Sequence, residues 1–143
     1  MHHVRKSEIV SYSPSEMFDL VADVDRYREF LPFCRNSRVL TREGGEELGE
    51  IQVAYGPIKA AFVTRNRYQP YEKIEIRLVK GPLKFLEGSW RFESIPQGGT
   101  RVSLDLRFEL RHKHADRLLG VFLDNLAAMM VSSFKRRAGE IRR

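Results

Sequence analysis

An α+β domain, in which a curved seven-stranded antiparallel sheet is covered by one long C-terminal helix, is the fold class this sequence predicts. Three observations predict it. From about Asp116 to Ile141 apolar residues recur at helical spacing. Leu118, Phe122, Leu126, Met129 and Met130 form the stripe, and Leu119, Leu123, Phe134 and Ile141 widen it. Between Arg35 and Leu110, five turn signals separate six alternating segments. Ahead of these, two short helical patterns follow a first strand.

Val4 to Tyr12 alternates and reads as the first strand. Ser13-Pro14-Ser15-Glu16 then opens a helix: Ser13 caps it, Pro14 suits its first position, and Glu16 completes a capping box. Met17, Phe18, Leu20 and Val21 are its apolar side. A second short helix runs from Asp23 to Phe30 and ends at Pro32. The turns of the meander are Gly44-Gly45, Gly56-Pro57, Pro70-Tyr71, Gly81-Pro82 and Pro96-Gln97-Gly98-Gly99. In the strand before Gly81, Ile74, Ile76 and Leu78 oppose Glu75 and Arg77. In the next, Leu86, Gly88, Trp90 and Phe92 oppose Glu87, Ser89, Arg91 and Glu93. The last sets Val102, Leu104, Leu106, Phe108 and Leu110 against Arg101, Ser103, Asp105, Arg107 and Glu109. One apolar and one charged face per strand is the pattern of an antiparallel sheet covered on one side.

The chain has 143 residues, a length that suits one domain over 1–143 and a core without staples. Its single cysteine, Cys34, excludes an internal disulfide and is expected to be a small buried hydrophobe. No run of about 18 apolar residues is read as a spanning helix, and the first residues lack the apolar core of a secretory signal. The expected location is the cytoplasm. The net charge of +6 favours anionic partners: ribosomal RNA, or an acidic membrane surface at the periphery of the inner membrane. The basic tail, Lys135-Arg136-Arg137 with Arg142-Arg143, suits either. DNA is not an expected partner.

No catalytic constellation is evident. His2, His3, His112 and His114 lie in a terminal segment or a linker, and His112 and His114 have no evident third ligand, so no metal centre is expected. Glu46-Glu47 falls at a turn, and Asp23 and Asp25 flank a helix start where carboxylates belong. The apolar side is richer. Phe62, Tyr68, Trp90, Phe92 and Phe108 alternate onto the covered face, and Gly88 is expected to leave space beside Trp90. One helix with medium side chains is expected to leave a hollow under a curled sheet, where an apolar ligand binds. Leu118, Phe122, Leu126 and Met129 are its expected helix wall, and Met17, Met129 and Met130 its adaptable fillers. Arg137 falls within the apolar arc near the helix end, and two roles are open to it. It meets the C-terminal dipole with Lys135 and Arg136, or it places a guanidinium at the cavity mouth.

Two motifs carry a family resemblance. Asp23-Val24-Asp25-Arg26-Tyr27-Arg28-Glu29-Phe30-Leu31-Pro32-Phe33-Cys34 resembles the opening motif of the coenzyme Q-binding, START-like family, in its ribosome association toxin subgroup. Gly81-Pro82-Leu83-Lys84-Phe85-Leu86-Glu87-Gly88-Ser89-Trp90-Arg91-Phe92 resembles the second signature, and Phe134, Arg137 and Ala138 match a third. The similarity spans essentially the whole chain. Arg28 departs from it, standing where the family usually has proline. The resemblance implies a helix-grip, START/Bet v 1-like fold. It implies a non-enzymatic role: binding ubiquinone or a similar prenyl quinone in support of respiration, with no covalent cofactor. It also implies the alternative of a toxin that binds the large ribosomal subunit and blocks subunit joining. A third alternative, an aromatic polyketide cyclase, follows from the wider superfamily. Carried over by position, Tyr27, Phe30, Leu31 and Phe33 form a lid, and Gly88 and Trp90 line the sheet wall.

Overall fold

The computed structural model describes residues 1–141. The tail residues Arg142 and Arg143 lie outside the described residues. Seven strands form one antiparallel sheet: β1 (His2–Val10), β2 (Cys34–Glu43), β3 (Glu46–Tyr55), β4 (Ile58–Gln69), β5 (Lys73–Lys80), β6 (Phe85–Ser94) and β7 (Thr100–Glu109). Their order is β1-β7-β6-β5-β4-β3-β2, so the six later strands are a simple meander and β1 returns to pair with β7. Helix α1 (Pro14–Ala22) and the short helix η1 (Val24–Glu29) connect β1 to β2, and α2 (Arg117–Ile141) closes the chain. The predicted element order is the observed one. The second short helix is a 3-10 helix, whose three-residue period stacks Tyr27 and Phe30 along one side.

Local chemistry sets the joints. Ser13 Oγ accepts from the Glu16 amide and Glu16 Oε1 accepts from the Ser13 amide, each at 3.2 Å, which is the expected capping box. Ser13→Ala should therefore cost about 1 kcal/mol, read as a shift in the urea midpoint at unchanged slope. Gly44 and Gly45 both have positive φ, 56° and 79°, as a two-residue hairpin turn matched to strand twist requires.

Inward residues of β6 and β7 pack beneath α2. Trp90, Phe108, Phe122 and Phe134 are fully buried, with Leu104, Leu123 and Val131 between them. The stripe of α2 that meets the sheet is Leu119, Phe122, Leu123, Ala127, Met130, Val131, Phe134 and Ala138. Leu118 and Ile141, expected on it, are 53% and 56% exposed. The stripe runs through Leu119, and Leu118 lies one 100° step away from it. Ile141 is the last residue of α2, three positions beyond Ala138, the final buried residue of the helix. One earlier expectation is also too strong: α2 holds an 18-residue window of mean hydropathy 1.3, enough by length and composition to cross a membrane. Half of that window is buried within the fold, as befits a core helix.

Candidate functional site

The inward residues of β4 alternate down one wall: Phe62, Thr64, Asn66 and Tyr68. Opposite them, Phe122, Leu123, Leu126 and Met130 project from α2 at helical spacing. Trp90, Leu104 and Leu106 form the floor, and Val21, Val24, Tyr27 and Phe33 close the side from α1, η1 and the start of β2. These groups enclose a cavity of about 90 Å³. Its wall is apolar apart from Tyr27 and the row Thr64, Asn66 and Tyr68.

The row is ordered by hydrogen bonds. Thr64 Oγ1 donates to Asn66 Oδ1 at 2.9 Å, and the Tyr68 hydroxyl donates to Glu47 Oε1 at 2.7 Å. Glu47 also accepts from Arg42, which reaches Asp25 Oδ2 at 3.8 Å. Asp25 Oδ1 in turn accepts from the Val39 amide at 2.9 Å. The polar row of the cavity is thus tied to η1. Burial, then the hydrogen bond to Glu47, pushes the Tyr68 phenol well above its ordinary value. Burial does the same for Tyr27, whose hydroxyl donates to the Val21 carbonyl. Both phenols stay protonated at neutral pH. No carboxylate, imidazole or amine lines the cavity among the described residues, so its wall offers neutral donors and no acid/base pair.

η1 is held over this space by ring contacts. Tyr27 and Phe30 pack edge-on to Phe134 at 5.3 and 5.1 Å. Arg137 Nη2 donates to Glu29 Oε1 at 2.7 Å, and its guanidinium lies 5.0 Å above the Phe30 ring. Both expectations for Arg137 are corrected: it neither serves the helix dipole nor faces the cavity, but clasps η1 onto the last turns of α2. It falls there because residues 134, 137 and 138 continue one helix face beyond the cavity.

Of the residues expected at the site, Tyr27, Phe33, Phe62, Tyr68, Trp90, Phe122 and Leu126 line the cavity. Phe30 is instead the seat of the Arg137 clasp. Leu31 is buried beneath η1 and Met129 is half-buried beside the core, and neither lines the cavity. Leu118 faces outward. Gly88 leaves no space: a Cβ there would stand 2.5 Å from Leu106 Cδ2 and 2.6 Å from the Asp105 carbonyl oxygen. Its missing side chain is the room that Leu106, directly opposite on β7, already fills. Met17 is fully buried but not part of the wall. The hollow is therefore narrower than expected, because Leu106 and the aromatic rings occupy most of it. Thr64 and Asn66 are lining residues that the sequence reading passed over. Their signal was present in the parity of β4, where they share a face with Phe62 and Tyr68.

Cys34 lies at the junction of η1 and β2, buried, with its thiol donating to the Asn36 carbonyl at 3.3 Å. Burial raises its pKa and outweighs the hydrogen bonds to Ser37 and Asn36. Alkylation by iodoacetamide should run at least about tenfold slower in the folded protein than in urea, followed by intact mass. Equal rates would show that this junction stands open in solution.

Comparison with known proteins places this geometry. The family described as polyketide cyclase / dehydrase and lipid transport matches residues 10–135. A ribosome association toxin, RatA, of Vibrio cholerae is 37% identical over 141 residues, which cover 99% of this chain and 98% of the toxin. A mitochondrial protein of Xenopus laevis, coenzyme Q-binding protein COQ10 homolog B, is 31% identical over 95% of this chain and 57% of its own length. The crystal structure of the Zhui aromatase/cyclase from Streptomyces sp. R1128 superposes with a TM-score of 0.90 at 17% identity, covering 99% of this chain and 96% of that one, a likeness of fold alone. On the family match and the full-length similarity to RatA, the chain belongs to the START-like polyketide cyclase / dehydrase and lipid transport family.

Proposed function

We propose that this protein is a non-enzymatic carrier or chaperone that holds a prenyl quinone of the ubiquinone class between η1, α2 and the sheet. The observation that carries the reading is an apolar cavity whose polar groups, apart from Tyr27, are Thr64, Asn66 and Tyr68, set in a row along β4. A prenyl quinone is an apolar tail joined to a ring with carbonyl acceptors. Thr64 and Tyr68 commit their hydroxyl protons to Asn66 and Glu47, so the Asn66 amide is the N–H donor for a ring carbonyl, and each tail methylene removed from water contributes about 0.8 kcal/mol. The name of the Xenopus relative, a coenzyme Q-binding protein, supports the ligand class. Typical ligand pockets hold about 300–1,000 Å³, so this one must widen on loading. The movable wall is η1, a helix of six residues held to α2 by one ion pair and a few ring edges. Lipid extraction of the purified protein, with mass spectrometry, should recover a prenyl quinone. A short-chain quinone should bind saturably. Recovery of none, with no saturable binding, refutes the carrier reading.

A second reading, association with the large ribosomal subunit, is favoured by the outer sheet face. There Arg65, Arg67, Arg77, Arg91 and Arg107 line a shallow basin of about 670 Å³, and Arg91 and Arg107 carry no ion pair among the described residues. Co-sedimentation with the large subunit should then fall steeply with salt. The two readings use different surfaces and are compatible.

A further inference from the structure

We infer that the end of the molecule around the N-terminus of α2 is a docking surface for an anionic lipid bilayer. Strand register brings the β3–β4 hairpin, the β5–β6 loop and the β7–α2 loop to one end: Tyr55 pairs with Ile58, Val63 with Lys80, and Phe85 with Glu109. The ring of Phe122 on α2 reaches this end, 5.1 Å from Tyr55 and 5.4 Å from Phe33. Phe33 and Phe122 also line the cavity, so this end of the molecule adjoins it.

Two independent features meet there. Tyr55, Leu118 and Val121 are large apolar side chains left 44%, 53% and 51% exposed. Around them Lys59, Lys80, Lys84, Arg111, Lys113 and Arg117 are all exposed, against Glu109, Asp116 and, one turn further along α2, Asp124, which meets His2 at 3.3 Å. Lys59, Lys80, Lys113 and Arg117 carry no ion pair among the described residues. Lys84 reaches Glu109 only at 4.0 Å, and Arg111 donates to the Gly81 carbonyl. Asp116 is occupied with the His112 amide. Apolar side chains that enter the headgroup layer, ringed by cations that meet its charge, are the recognised pattern of reversible bilayer docking.

The other basic regions are less free. On the outer sheet face Arg5, Arg65, Arg67, Lys73 and Arg77 each meet a carboxylate. Near the end of α2, Lys135 is held by Glu8 and Arg137 by Glu29. RNA would use the cations but has no need of the exposed leucine and valine. Docking at this end would set the cavity's near wall against the source of an apolar ligand, and in that purpose alone it rests on the carrier reading.

Flotation with vesicles of phosphatidylcholine, with and without phosphatidylglycerol, tests it. The protein should float only with the anionic vesicles, and salt at about 0.5 M should weaken the association. Leu118→Asp with Val121→Asp should lower it tenfold or more, and so should Arg111→Glu with Lys113→Glu. Acidic residues near a helix N-terminus favour the helix, so the first pair tests docking rather than folding. Arg136→Glu, at the other end of α2, should leave flotation unchanged. No flotation with anionic vesicles, or equal flotation of the variants and the parent, overturns the inference. Loss of ribosome co-sedimentation in the Arg111/Lys113 variant with flotation intact also overturns it and assigns the surface to RNA. Binding of a short-chain quinone without vesicles should survive all of these substitutions, so a failure of docking is distinguishable from a failure of the cavity.

Discussion

Phe134→Ala is expected to destabilise the fold by about 3–5 kcal/mol, the range for removing a large aromatic side chain from a packed core. Phe134 is fully buried where α2 meets η1 and the sheet. Its ring touches Tyr27 and Phe30 of the η1 segment and Trp90 of the sheet, the last at 5.3 Å and perpendicular. Neighbours anchored on two other elements, η1 and β6, cannot all collapse into the space a methyl would leave. A domain of this kind holds about 5–15 kcal/mol in total, so a loss of that size should be plain in urea unfolding. The same change should loosen η1 and speed Cys34 alkylation in the folded state. A shift below about 1 kcal/mol, with alkylation unchanged, would mean that α2 and η1 pack independently of each other.

The second large effect is on binding. Asn66→Leu should weaken a short-chain ubiquinone about tenfold to a hundredfold, equivalent to about 1.4–2.8 kcal/mol. Asn66 is a buried amide on the cavity wall that accepts from Thr64 and lies against the Tyr68 phenol. Leucine keeps the bulk and removes the donor. Affinity for a plain alkyl chain of the same length should hold or rise, because the wall becomes more apolar. Titration calorimetry with the two ligands separates the terms. An equal loss for both would show that Asn66 shapes the cavity without recognising a ring carbonyl.

Particular residues show how much was legible. The alternation of Val102, Leu104, Leu106 and Phe108 was enough to assign the faces of β7, because side-chain direction in a strand follows from backbone geometry alone. The capping box at Ser13 was legible for the same reason, since all its partners lie within one turn. Leu118 was misplaced because a helical stripe read from sequence is accurate only to about one residue in phase. What selects among adjacent rows is the sheet that the helix meets. Gly88 was misread because a missing side chain looks like space until its cross-strand neighbour is known, and Leu106 lies eighteen residues further along the chain.

Strand number, the inward and outward faces, the early helices and the covering role of α2 came from the amino-acid order itself, since each follows from local periodicity or from contacts within a turn. The size of the cavity, the polar row along its β4 wall and the clasp between Arg137 and η1 were decided by the tertiary structure. Each of these is a sum over side chains from elements far apart in sequence, such as Glu29 and Arg137. Periodicity specifies which way a side chain points, and only packing decides whether the space in front of it is already taken.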